Sequence, residues 1–129
     1  NAPFRSPLRR RVSWRVWPKL DLRAMQNAAQ VLIGKHDFAT FGTAPEPGGQ
    51  TVRTVRKTRW QEQGPLLIFE IEADAFLHRM VRSIVGTLRQ VGSGEMTSLD
   101  VTERLAAAQR KLSGPTAPPQ GLRLVEVMY

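Results

Sequence analysis

The sequence predicts an α+β domain in which a four-stranded antiparallel sheet carries helices on one face. Three observations carry this expectation. Four short segments alternate apolar and polar residues with period two. Three longer ones repeat apolar residues at helical spacing, and proline, glycine or a capping residue separates nearly every pair of segments. At 129 residues the chain is long enough for one modest core.

The elements follow in order. In RRVSWRVW (10–17), Val12, Trp14 and Val16 alternate with Arg11, Ser13 and Arg15, the mark of a half-buried strand that Pro18 stops. Asp21 is placed to cap a helix in which Leu22, Met25, Ala28, Ala29, Leu32 and Ile33 share a face, up to Gly34. KHDFATFG (35–42) reads as a loop with two anchoring phenylalanines, and APEPGG (44–49) as a mobile tip. Residues 50–60 and 66–73 read as two strands joined by Gln63, Gly64 and Pro65. In the second, Leu67, Phe69, Ile71 and Ala73 oppose Ile68, Glu70 and Glu72.

Asp74 is then expected to cap a helix over 75–91, with Leu77, Met80, Val81, Ile84, Val85, Leu88 and Val91 as its core stripe and Gly92 as its end. A further helix is predicted over 98–112, with Leu99, Val101, Thr102, Leu105 and Leu112 inward. PTAPP (115–119) forces an extended connector, and 121–129 forms a last strand around Leu122, Leu124, Val125 and Val127. The order β-α-β-β-α-α-β matches the ferredoxin-like split βαβ plan, which leaves the second sheet face free to meet RNA or another domain.

Composition narrows the function classes. Hydrophobic residues make up 41% and charged residues 23%, a globular mix. No apolar run approaches the roughly 20 residues that cross a bilayer. The absence of cysteine excludes disulfides, thiolate metal sites and cysteine nucleophiles, and His36 and His78 are too isolated for a histidine metal site. A cytoplasmic protein without metal or cofactor is the expectation. The net charge of +8 is uneven: residues 1–60 hold 12 cations and 3 anions, so all of the excess lies there. It concentrates in RSPLRRRVSWR (5–15) and TVRTVRKTR (51–59), mostly as arginine, whose planar fork suits phosphate. Such a footprint suits a polyanion, although basic strands facing water would look the same.

No complete active site is legible. His78, Arg82, Gly86 and Arg89 would lie along one ridge of the helix over 75–91, either as a seat for a carboxylate or phosphate or as a solvated face with Gly86 packed on a strand. Asp37 beside His36 is expected to cap the DFATF turn, and Asp21, Asp74 and Asp100 stand at helix starts. GTAPEPGG lacks the lysine and setting of a phosphate-binding loop, and LLIFEIEA offers only Phe69 as a stacking ring.

Five blocks nevertheless occur together: GKHDFATF (34–41), TVRTV (51–55), ADAFLHRMVRSIVG (73–86), VGSGE (91–95) and GLRLVEVMY (121–129). In order and spacing they resemble the bacterial tRNA pseudouridine synthase A family, and the likeness covers nearly all of residues 4–129 apart from the tip around 43–50. The resemblance implies a homodimeric enzyme of two similar α/β halves around a basic cleft, which isomerises uridine in the tRNA anticodon stem-loop without metal or organic cofactor. Residues 1–129 would be its carboxy-terminal domain, with a preceding domain absent, an expectation that Asn1 in place of an initiator methionine also suggests. The family's nucleophilic aspartate sits in an arginine-threonine-aspartate motif that this chain lacks, and its substrate-stacking tyrosine has no counterpart here.

Two residues carry over. Arg82 matches the arginine that pairs with the catalytic aspartate, and Leu122 matches the leucine that packs on the target uracil. His78, Arg79 and the arginines of 5–15, among them Arg9, Arg10 and Arg11, are expected phosphate contacts. Two rival readings are a stand-alone RNA-binding module bound chiefly through counterion release, and a small-molecule or oligomerisation domain, which the charge of the first half disfavours.

Overall fold

The first predicted strand lies inside the sheet, with a neighbour on each side. In the computed structural model, which describes residues 8–15, 20–64, 66–108 and 122–128, β1 (Leu8–Arg15) pairs antiparallel with β4 (Leu66–Ala73) on one side and β5 (Leu122–Met128) on the other. Side chains of residues 14, 15 and 122–128 lie outside that description. Beyond β4 runs β3 (Val52–Gln63), and the sheet order is β2-β3-β4-β1-β5. All four predicted strands are present and antiparallel.

The fifth strand, β2 (Gly34–Asp37), corrects the loop expected at 35–42: it pairs along the edge of β3 from Gly34 opposite Val55 to Asp37 opposite Val52. Four residues put only two side chains on each face, too few for period two to register. The Asp37 carboxylate behaves as its capping role requires, accepting from the Ala39 N–H at 3.0 Å and the Thr51 hydroxyl at 2.6 Å.

One sheet face is apolar. Val12 and Trp60 stand opposite Phe69 from its two sides, with the Trp60 and Phe69 rings 4.8 Å apart, and Ile71 and Ala73 continue the buried row. In β3 the buried residues are Val55, Thr58 and Trp60, a step of three and then two. A register shift between Val55 and Lys57 leaves Arg56 over, a bulge that returns the strand to its core-facing phase.

Helices cover this face. Asp21 caps α1 (Leu22–Gln30) by accepting from the Ala24 N–H at 3.1 Å, and Met25, Ala28 and Ala29 are buried. α2 (Met80–Gly92) is buried almost all round. It meets α1 closely at Gly92, where a Cβ would stand 2.7 Å from the Met25 sulfur, and the Asp21 N–H donates to the Gly92 carbonyl at 2.9 Å. Thr97 and Asp100 form a reciprocal capping box at the start of α3 (Ser98–Ala107).

The helix predicted over 98–112 therefore ends earlier, at a left-handed Ala108, and Leu112 lies outside the described residues, as does the 115–119 connector. Val101 and Leu105 are buried one turn apart, whereas Leu99, expected inward, is 65% exposed. Two residues ahead of Val101 puts it about 200° around the helix, on the far side.

Candidate functional site

The segment that attaches α2 to the sheet departs from its sequence reading. Helix begins at Met80, not at 75, and Asp74 does not cap it. The Asp74 carboxylate accepts from the Thr54 N–H at 3.0 Å and the Ala75 N–H at 2.8 Å, which fastens the end of β4 to β3. Residues 75–79 instead descend to the core irregularly. Phe76 and Leu77 are both buried there. His78 then makes a two-bond bridge with Thr43: its N–H donates to the Thr43 carbonyl at 2.8 Å, and the Thr43 N–H donates to the His78 carbonyl at 3.2 Å. Arg79 takes a left-handed conformation, φ 63° and ψ 5°, and from there the helix runs.

The expected His78-Arg82-Gly86-Arg89 ridge is thus divided. His78 precedes the helix, Gly86 is buried within it, Arg82 is half-buried, and Arg89 is exposed in the last turn. The dividing cause is the left-handed turn at Arg79, which breaks the helical phase between positions 78 and 82.

Three cations converge where α2 starts. Arg10 of β1, Arg79 and Arg82 line a hollow of about 270 Å³ with His78, Met80 and Val81. A second hollow of about 510 Å³ continues from it past Phe76 to the base of the 43–50 tip at Thr43, Ala44 and Pro45. The Arg10 guanidinium lies 4.9 Å from the centre of the Phe76 ring, a cation–π contact that holds it toward the hollow. No described carboxylate forms an ion pair with Arg79 or Arg82. Such a concentration of positive charge at a helix N-terminus is suited to an anionic group, because the macrodipole adds to it.

Arg9 and Arg11 alternate to the opposite sheet face. Arg9 bonds Glu72 at 3.1 Å and Arg11 bonds Glu70 at 2.7 Å, each across the β1–β4 ladder. Lys57 and Arg59 stand opposite Glu72 and Glu70 from the β3 side, so each glutamate lies between two cations. A hollow of about 180 Å³ opens between Arg9, Arg11, Lys57, Arg59 and Glu70. On this face Arg9 and Arg11 are paired with glutamates, whereas Arg79 and Arg82 have no described carboxylate partner.

Burial acts to raise the Glu70 pKa, but the hydrogen bond and charge of Arg11, with the charges of Arg9 and Lys57, outweigh it and hold the carboxyl below its ordinary 4.5. A depressed folded-state value contributes stability that is present above pH 4.5 and lost as pH falls through the folded value. Glu70→Gln is therefore expected to lower the urea midpoint at pH 7, with the gap from the parent chain closing as pH falls below 4.5. A gap that is constant across pH would remove the electrostatic account.

Leu122 opens β5 with its backbone opposite Trp14; its side chain lies outside the described residues. His36 turns away from Asp37, its Nε2 3.0 Å from the Ile33 carbonyl oxygen. The sequence reading missed Phe76, Gly42 and Thr43 as parts of the site's frame. No local signal marked the first of them: Phe76-Leu77, Met80-Val81 and Ile84-Val85 recur every four residues, the spacing of one continuous helix.

Comparison with known proteins bears on what this geometry serves. A family model described as tRNA pseudouridine synthase matches residues 28–129. The tRNA pseudouridine synthase A of Myxococcus xanthus is 45% identical over 130 residues, an alignment covering 100% of this chain and 49% of the relative. Those of Acidiphilium cryptum and Acetivibrio thermocellus are 43% and 40% identical, again over all of this chain and over 51% and 53% of their own lengths. The chain spans about half the length of the curated relatives it matches.

Proposed function

The chain belongs to the tRNA pseudouridine synthase family, and we propose that it is the carboxy-terminal, tRNA-binding half of an enzyme that isomerises uridine to pseudouridine in the anticodon stem-loop. The observation that carries the reading is the hollow at the start of α2, where Arg82 stands beside Arg10 and Arg79 without a described carboxylate partner. A carboxylate presented from the other half of the enzyme would complete it.

In this reading Arg82 holds the nucleophilic aspartate of the missing amino-terminal domain. A guanidinium beside a carboxylate favours its ionised form and fixes its direction through two parallel bonds. The target base leaves the stack to reach the site. Its N1–C1′ bond breaks, the uracil rotates, and a C5–C1′ bond replaces the first while C5 gives up its proton and N1 takes one up, so no redox partner or organic cofactor is needed. Leu122 supplies an apolar wall for the freed ring. Arg10, Arg79 and His78 receive the flanking phosphates, and Arg9 and Arg11 on the opposite face give weaker phosphate contacts because Glu72 and Glu70 already engage them. A cytoplasmic, homodimeric full-length enzyme belongs to the same reading.

Residues 1–129 alone are expected to yield no pseudouridine from an anticodon-arm RNA, while the full-length protein converts it. Nucleoside analysis of the two reactions is the test. Turnover by residues 1–129 would overturn the division of roles between the halves.

A further inference from the structure

The left-handed turn that aims Arg79 and Arg82 is held from outside its own segment. Arginine does not favour positive φ, and a non-glycine residue stays there only where its surroundings over-determine it. No side chain caps the helix at Arg79, so the constraint is elsewhere.

It lies in the 38–43 segment. Phe38 and Phe41 are fully buried, the Phe41 N–H donates to the Phe38 carbonyl at 2.8 Å, and the Thr40 hydroxyl donates to the Arg104 carbonyl of α3 at 2.7 Å. Gly42, next in the chain, passes so close to the site that a Cβ there would stand 2.7 Å from the His78 carbonyl oxygen and 2.8 Å from the Leu77 Cβ. Thr43 then makes its two backbone bonds to His78, the residue before the turn. An anchored segment thus abuts the site through a position that only glycine fits.

Resting on the functional reading above, we propose that Gly42 and Thr43 are positioning residues: their contact with His78 fixes the Arg79 turn and thereby sets the guanidinium of Arg82 in the catalytic cleft. Neither touches substrate. Their effect passes through the backbone of residues 78 and 79 into the first turn of α2. An added Cβ at Gly42 pushes on a backbone carbonyl, which cannot rotate aside as a flexible side chain would, so the displacement is transmitted to the turn.

Gly42→Ala in the full-length enzyme is expected to lower kcat on tRNA by about 10- to 100-fold, the cost of misplacing a catalytic group by up to about an ångström. KM should stay within about threefold. A second comparison works even if that variant folds poorly. Arg79→Asn and Arg79→Val both remove the guanidinium, but asparagine tolerates the left-handed region and β-branched valine does not. The asparagine variant is expected to keep about five- to tenfold higher kcat at similar KM. Equal kcat in the two Arg79 variants, or parent-like kcat in folded Gly42→Ala, would overturn the positioning role. Arg82→Ala, run in parallel, separates the two claims: if it loses activity while those variants show no effect, the functional reading stands and this inference falls. If Arg82→Ala remains active, the functional reading itself has failed.

Discussion

In the full-length enzyme, Arg82→Ala is expected to reduce turnover by about 10²- to 10³-fold, the loss seen when one organised electrostatic partner is taken from a reacting centre. Affinity for tRNA should change less than about threefold, because a single contact among many cations carries little of the counterion-release term. Arg82 is half-buried at the first turn of α2, facing the same hollow as Arg10 and Arg79, and those two remain to attract phosphate when it is gone. Single-turnover conversion and a filter-binding titration on the same tRNA measure the two effects separately. Arg82→Lys should recover only part of the rate, since an ammonium keeps the charge and loses the planar fork that holds a carboxylate at two points. Equal losses of binding and turnover would instead make Arg82 a phosphate contact.

The largest effect on stability is expected at Phe69. Its side chain is fully buried at the centre of the sheet, between Val12 and Trp60 on the neighbouring strands. Phe69→Ala should cost about 3–5 kcal/mol, the transfer of the ring plus the cavity it leaves. That is a large part of the roughly 5–15 kcal/mol by which a domain is stable. The rigid partners make collapse into the space difficult: the Trp60 ring lies 4.8 Å from that of Phe69, and both strands are held by ladder bonds. Urea unfolding followed by Trp fluorescence is the measurement, and Phe69→Leu should lose less than Phe69→Ala because it keeps more of the apolar volume. A loss below about 1 kcal/mol for the alanine variant would mean that Phe69 is not a central packing residue.

Where the chain repeats a pattern over several residues, its local structure could be read directly. β4 shows this best: Leu67, Phe69, Ile71 and Ala73 are buried, and Glu70 and Glu72 point to the charged face where Arg11 and Arg9 meet them. The cap at Asp21 and the place of Asp100 at the start of α3 were equally legible, because a capping side chain acts within three residues of itself. β2 was not, since its four residues are a strand only by virtue of pairing with β3, fifteen or more residues away.

The same division holds for ADAFLHRMVRSIVG. From Met80 onward the buried stripe of Met80, Val81, Ile84, Val85 and Leu88 is helical, as its spacing predicts. Before Met80 the segment continues a plausible helical pattern, yet the chain does not follow it. Asp74 is drawn to the Thr54 N–H, Phe76 to the Arg10 guanidinium, and His78 to the backbone of Thr43. Each of these partners is at least twenty residues distant, so no local rule could anticipate the turn at Arg79.

The sequence by itself determined the α+β class, the strands whose alternation is long enough to count, the cap at Asp21, and the five blocks that mark the family. Those are properties of neighbouring residues or of their order along the chain. Tertiary structure decided which arginines act together: the run Arg9-Arg10-Arg11 is split by the pleat, two to a face where glutamates pair them and one to the hollow with Arg79 and Arg82. Period two sends adjacent side chains to opposite faces, and only the packing of α2 against the core determines which face holds the site.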